Sequence, residues 1–468
     1  MFLKVMKTLF KIILFILIPF CVSSQNITFR SLIDNQFNDF SADTSKHLTI
    51  TPDVYGICSI NEENNTSNTF LLRATLTSNI SNNLTVISHF DYLTGNHNYL
   101  MTEYQDSLGV FPAFGLADKR FQYNVKYKVN KFITADLGNG KQFIGNGYQS
   151  LLLSDVASSY PYLKLTTEFG RVKYYNLYTT FINHDMSDFG RKKHSTIHYL
   201  DFAISKNINF GVFESILWQS KSEEVNKGFE FAYLNPIIFY RPVEFSKHSS
   251  KGNALMGVNF NATFYKNSFY GQVLLDDMNI SRQSDNDEGN YEEGFFQNKF
   301  GFQLGAKTKY KGVSILSEYN QVQPYTYGHR TILQNYSHMN QALAHPLGAN
   351  FKEIVLMANY KKDKWNYSVK IISAKVGLDS LGTHYGQNIF ESDYEASTGG
   401  QYSYGNFNGQ GVVTHLNALH AEITYDYKWF DVFGSVFYKS KKSDLADQTS
   451  LFYSIGLRTF PFSTFTDY

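Results

Sequence analysis

Apolar and polar residues alternate singly along this chain, and the apolar positions are rich in aromatics. Phe121, Tyr123, Val125, Tyr127 and Val129 share one face, with Gln122, Asn124, Lys126 and Lys128 on the other. Trp365, Tyr367, Val369 and Ile371 oppose Asn366, Ser368 and Lys370, and Ala421, Ile423, Tyr425 and Tyr427 oppose His420, Glu422, Thr424, Asp426 and Lys428. A period of two marks a strand whose two faces meet different surroundings. Tyrosines number 34 and phenylalanines 41, yet mean hydropathy is −0.30, so the aromatics are not gathered into apolar blocks. Such a strand suits a wall with lipid on one side and water on the other. In a bilayer that wall has to close, because an open sheet edge leaves backbone groups unpaired in hydrocarbon.

The first 24 residues read as an export signal. Lys4, Lys7 and Lys11 precede the apolar run Ile12–Phe20, which is too short to span, and Val22 and Ser24 supply small residues before Gln25. A lipoprotein signal ending at Cys21 fits poorly, since Pro19 and Phe20 are bulky where small residues are needed. With the three leader lysines removed, the 42 basic residues become 39 against 41 acidic ones, a balance that argues against nucleic acid as partner. Only Cys58 remains, so the exported chain has no intramolecular disulfide to hold it. After the leader no run of 18 apolar residues occurs, which excludes helical spans. The expectation is an all-β, transmembrane antiparallel barrel of about 16–18 strands in the outer membrane. Its parts are a signal over 1–24, a periplasmic segment over 25–50 with one short helix near Leu32–Phe40, and the barrel over 51–468.

Stretches at 252–266, 297–310, 412–428 and 429–440 are long enough to cross a bilayer as tilted strands. Tight turns are predicted at Asn207–Asn209, Lys266–Asn267, Lys311–Gly312, Lys361–Lys364 and Lys428–Trp429, and long outer loops at 184–195, 219–228, 279–298, 324–350 and 378–411. The chain ends on an aromatic, Tyr468, after the strand-like stretch Phe452–Phe460, with Pro461 interrupting the pattern.

Motifs that carry chemistry are scarce. Gly138-Asn-Gly140 and Gly145-Asn-Gly147 lack the strand–loop–helix setting and the Lys-Ser/Thr ending of a phosphate cradle. They fit better as glycines where a strand meets a loop or the chain turns inward. His194 and His198 are four apart, but 196–206 reads as a strand, where that spacing gives no chelating pair, and His329, His338 and His345 share a loop without carboxylate or cysteine at ligand spacing, so no metal or other cofactor is expected. No nucleophile elbow or zinc-protease signature occurs, and the protein is expected not to be an enzyme.

Two apolar, aromatic stretches are broken by proline: Tyr148–Asp155 with Ser159–Leu163, and Phe231–Phe245. Proline is excluded from interior strands, so both stretches are expected to leave the wall and plug part of the lumen. Asn146, Asp155, Asn235, Arg241 and Glu244 would be polar groups inside that plug, with Arg241 and Glu244 pairing to offset their burial.

The stretches 145–167, 195–218, 231–246, 298–307 and 323–353 together resemble the outer-membrane family that includes the gliding-motility protein RemB and, more distantly, the capsule-assembly lectin Wzi. The resemblance runs from about residue 120 onward. It implies an outer-membrane barrel, capsular polysaccharide binding at the outer face in Wzi-like members, and surface machinery for gliding in RemB-like ones. The N-terminal segment departs from the Wzi pattern, since it shows no helical bundle. The expected function is non-enzymatic binding or positioning of surface polysaccharide, in support of functions such as gliding. The expected partners are outer-membrane lipid, that polysaccharide and gliding-machinery proteins. The glycan candidates are Tyr325, Tyr327, His329 and Asn335, aromatic faces and polar tips in one long loop. Two alternatives stand beside this: an interaction protein of the gliding machinery without a ligand, and a solute channel.

Overall fold

Each alternating segment forms an antiparallel strand, and eighteen of them close into a barrel. The computed structural model describes residues 48–97, 119–183, 191–220, 231–236, 252–278, 294–379, 382–393, 404–460 and 467. In chain order the strands are β1 (Leu48–Asn61), β2 (Thr66–Ser81), β3 (Leu84–Thr94), β4 (Lys119–Lys128), β5 (Ile133–Gly140), β6 (Tyr160–Phe169) and β7 (Val172–Ile182). There follow β8 (Lys192–Ala203), β9 (Ile208–Gln219), β10 (Asn253–Phe264), β11 (Asn267–Asp277), β12 (Lys299–Tyr310) and β13 (Val313–Val322). A small hairpin, β14 (Ser337–His338) and β15 (Gln341–Ala342), stands apart from the wall. The wall resumes with β16 (Phe351–Lys362), β17 (Trp365–Leu378), β18 (Val412–Tyr427), β19 (Phe430–Ser443) and β20 (Asp447–Arg458). Neighbouring strands pair in sequence order, and β1 closes the circle against β20 from Tyr55↔Arg458 to Asn61↔Phe452. The only helical structure among the described residues is two short 3-10 turns, Phe231–Leu234 and Ile332–Gln334.

One end of the barrel carries the tight turns. Tyr265, Lys311, Asp363 and Lys428 have positive φ there, the left-handed start that a two-residue hairpin needs to match strand twist. Exposed Tyr127, Phe169, Tyr310, Trp365, Trp429 and Phe430 ring this end, as aromatics do at a lipid–water interface. The start of β1 and the end of β20 also lie here, so this is the periplasmic side and the long loops are extracellular. Along the wall, outward Trp365, Tyr367, Val369 and Ile371 are exposed, while inward Ile372, Ala374 and Val376 are buried. The protein is an outer-membrane β-barrel. Its first strand begins at Leu48, three residues before the expected boundary. The leader, the segment around Leu32–Phe40, Arg241, Glu244 and Tyr468 lie outside the described residues.

Three expectations need correction. Pro161 does not leave the wall: it stands in β6 opposite Asn139. The ladder to β7 starts only at Tyr162, so β6 is bonded on one side at Pro161 and the ring sits where the second ladder has ended. The terminal strand stops at Arg458; beyond it Phe460 turns into the barrel beneath the Arg73 guanidinium, 4.4 Å from ring centre, and Asp467 is buried in the lumen. The segment Phe231–Pro236 does not enter the lumen but lies against the outer wall. The Thr196 hydroxyl donates to the Tyr233 carbonyl (2.9 Å), Tyr178 to that of Leu234 (3.1 Å) and Tyr174 to that of Pro236 (2.6 Å). The Tyr233 ring packs on Ile216 and lies 4.8 Å from Trp218. The reason is on the wall itself. Asn176, His198 and Glu214 are in register on β7, β8 and β9 and face outward, and all three are nonetheless buried. Polar groups at that depth need cover from hydrocarbon. Asn235, expected in the plug, is accordingly exposed on the outside.

Candidate functional site

The lumen is filled from the extracellular side in three layers. The deepest is the β5–β6 connection, residues 141–159. It leaves the wall at Gly140, descends to mid-depth and returns at Tyr160. Leu151, Leu152 and Leu153 are fully buried within a core that includes Phe213, Leu217, Leu255, Leu274 and Phe351 from the inner wall. Full burial of each leucine contributes about 1.5–3 kcal/mol. An apolar core inside a barrel is a seal, because water has no partners there.

The polar side of this layer is tied to wall side chains from several strands. Glu318 on β13 accepts from the backbone amides of Tyr148 (2.7 Å) and Gln149 (3.0 Å), from the Tyr270 hydroxyl (2.8 Å) and from Asn320 (2.9 Å). Gln272 on β11 accepts from the Leu151 amide at 2.8 Å, and Gln303 on β12 donates to the Gln149 carbonyl at 2.9 Å. Asn146, an expected plug residue, receives Asn259 at its side chain (2.9 Å) and Lys307 at its carbonyl. Asp155 is half-buried beside the Ser154 hydroxyl. Gly147 is required: a Cβ there would lie 2.3 Å from the Glu318 carboxylate and 2.7 Å from the Gln149 carbonyl. The tip of this layer also meets the C-terminal tail, where Tyr148 donates to Asp467 at 2.5 Å and Lys370 pairs with the same carboxylate.

The second layer is the β13–β16 connection, which holds all four glycan candidates. Tyr327 is fully buried with its hydroxyl on the Leu151 carbonyl (2.8 Å), and its amide donates to Asp276 (2.7 Å). Tyr336 bonds the Leu152 carbonyl in the same way (2.8 Å). Tyr325 is buried among Phe295, Phe296 and Tyr404, with its hydroxyl on the His384 carbonyl. Asn335 is buried, accepts from the Lys193 ammonium at 2.6 Å and donates to the Ile389 carbonyl at 2.9 Å. Only His329 keeps an open side, and burial followed by the nearby Lys299 ammonium pushes it down to about 4. The rings of Tyr325 and Tyr327 therefore have no free face for a sugar in this conformation. They belong to the seal, because positive φ at both residues turns the chain back on itself and into the barrel. His345 lies here too; its Nε2 meets Glu353 at 2.8 Å and its Nδ1 accepts the Leu347 amide at 3.2 Å, so both ring nitrogens are engaged.

The outermost layer is the described part of the β17–β18 connection, residues 382–393 and 404–411. Lys299 joins it to the second layer by bonding the Gly328 carbonyl (3.2 Å) and pairing with Asp393. Asn350 donates to the carbonyls of Gly377 (2.8 Å), Tyr385 (3.2 Å) and Gln410 (3.0 Å). This layer presents aromatic rings that the sequence reading missed: Phe390 and Phe407 are 36% and 61% exposed. The Ser392 hydroxyl donates to the carbonyl of exposed Arg330 at 2.6 Å, tying the second layer to the chain two residues from Phe390. Aromatics inside the polar loop 378–411 were the available sequence signal.

No protein-family model and no curated protein matches the sequence. Among solved structures, OprD of Pseudomonas aeruginosa is 10% identical, with a TM-score of 0.48 over 88% of this chain and 94% of that one. OpdK of Pseudomonas aeruginosa, solved with vanillate, is 8% identical with a TM-score of 0.48 over 88% and 98%. A BenF-like porin from Pseudomonas fluorescens is 7% identical with a TM-score of 0.48 over 89% and 99%.

Proposed function

We propose that this barrel works at its outer face, without catalysis, by binding or positioning surface polysaccharide. The supporting observation is the three-layered filling of the lumen, which leaves aromatic and charged groups on top. Phe390 offers a ring to sugar C–H groups, while the exposed Arg330 offers guanidinium donors on the same outer face. The resemblance to RemB-like and Wzi-like barrels points the same way, and service to a gliding apparatus belongs to the same reading. The test uses detergent-purified protein and polysaccharide extracted from its own cell surface. Saturable binding that falls at least tenfold in Phe390→Ala and Arg330→Ala is expected. No binding at high polysaccharide concentration rejects the reading and leaves an interaction protein.

A selective solute channel is the second reading, and the polar wall below and beside the plug favours it. Arg73 pairs with Asp91 at 2.6 Å, and Arg458 with Glu422 at 2.7 Å, on the inner face of β2, β3, β18 and β20. Planar-bilayer recording separates the two. The sealed barrel is silent, and reproducible steps of substrate-dependent conductance would establish the channel instead.

A further inference from the structure

Asp379, at the upper end of β17, meets His384 and Glu391 from the loop that follows, and their ligand atoms all lie within 4.8 Å of one another. The geometry points to a divalent metal site, of the class that zinc fills, holding the outermost layer of the plug in place.

The argument rests on how the three side chains face one another. Asp379 turns Oδ1 to the Tyr385 amide at 2.5 Å and presents Oδ2 to His384 Nδ1 at 3.1 Å, with the Asn388 amide also on Oδ2 at 3.3 Å. Glu391 gives Oε1 to the Asn388 side-chain amide at 3.1 Å and presents Oε2 to the same His384 Nδ1 at 3.6 Å. Each carboxylate is thus anchored by one oxygen and aims the other at a single imidazole nitrogen. One proton on Nδ1 serves one acceptor; 3.6 Å is beyond a hydrogen bond to the second. A cation between them serves all three. In a tetrahedral site with metal–ligand arms of about 2.0–2.1 Å, neighbouring ligand atoms stand about 3.3–3.4 Å apart, a value that the two observed separations bracket.

The surroundings fit. The His384 ring is buried and meets the Tyr325 ring edge-on at 5.1 Å, which fixes its orientation. Asn388 supplies hydrogen bonds to both carboxylates, the supporting shell that metal ligands need. One nitrogen and two oxygens suit a zinc-class ion better than magnesium or calcium, which take oxygen ligands in larger number. Glu391 is half exposed, so a fourth position opens to the cell exterior. The site spans from the end of β17 to Glu391, directly beside Phe390. It stands independently of sugar binding.

The test uses tag-free, full-length protein in detergent, carrying Cys58→Ser to remove the thiol and stripped with a chelator. Zinc is then titrated by calorimetry, with magnesium and calcium as comparisons. One equivalent bound is expected, with affinity lowered at least about a hundredfold in His384→Ala and Asp379→Asn, and about tenfold or more in Asn388→Ala. Heat-modifiable migration on gels verifies that each variant keeps its barrel. Absence of stoichiometric zinc binding, or binding that persists in His384→Ala, overturns the assignment.

Discussion

Replacing Glu318 with alanine releases the deepest layer of the plug. The carboxylate is almost fully buried and accepts four hydrogen bonds, two of them from the backbone amides of Tyr148 and Gln149. A buried amide left without an acceptor costs about 1–3 kcal/mol, and the bonds from Tyr270 and Asn320 contribute about 0.5–1.5 kcal/mol each. The gross loss is about 3–9 kcal/mol. Water entering the vacated space satisfies part of it, which places the net loss near about 3 kcal/mol, or a hundredfold or more in the opening equilibrium. Hydrogen exchange in detergent reads this directly, because amide exchange follows local opening. The reporters are amides that Glu318 does not touch: Leu151, bonded to Gln272, and Ile144, bonded to the Leu153 carbonyl at 2.9 Å. Both should exchange about a hundredfold faster, while β16 and β17 stay protected. Unchanged exchange at Leu151 and Ile144, or equal acceleration throughout the wall, would refute the idea that Glu318 pins the plug.

Gly147→Ala forces a methyl against the pinned Glu318 carboxylate and the Gln149 carbonyl, and should raise exchange over 144–153 as Glu318→Ala does, with the barrel intact on gels. Acid should loosen the second layer. Burial holds His329 down to about 4 and His338 to about 3, against 6.5 when the loop is open. The opened loop therefore binds protons that the closed one does not, so closure is at full strength above pH 6.5 and weakens progressively as pH falls toward 4 and below. Exchange at the Tyr336 and Leu343 amides, measured between pH 7 and 4 and corrected for intrinsic rate, should rise; a flat profile contradicts the burial of these imidazoles. Asp467→Ala leaves the partly buried Lys370 ammonium with the Tyr148 hydroxyl alone, and should lower the thermal midpoint of the plug, since removing one partner of a buried pair strands the other charge at a cost of about 3–5 kcal/mol. Double substitution with Lys370→Met should restore much of that loss, and failure to do so would mean the pair does not hold the tail.

The wall was legible because its information is local. Phe121 through Tyr127, Trp365 through Ile371 and Ala421 through Tyr427 declare their two faces by alternation alone, and the turns at Lys311–Gly312 and Lys428–Trp429 punctuate them as expected. Barrel closure follows from the same short-range pattern, since a strand in lipid has few ways to satisfy its backbone. The candidate site was legible only as loops. Tyr325, Tyr327 and Asn335 carry the residue types of a sugar site, yet the fold engages them with His384, Leu151 and Lys193 respectively, partners far away in sequence.

What tertiary structure decided is which side of the wall each off-wall segment takes. Tyr148–Asp155 and Phe231–Pro236 read alike, apolar, aromatic and tied to nearby prolines, but one lies inside and the other outside. Inside, Glu318, Gln272, Gln303 and Lys307 from three strands converge on one backbone; outside, outward-turned Thr196, His198 and Glu214 require a cover. Alternation is a property of a few consecutive residues, whereas the partner of a buried polar group is set by strands that meet only once the barrel has closed.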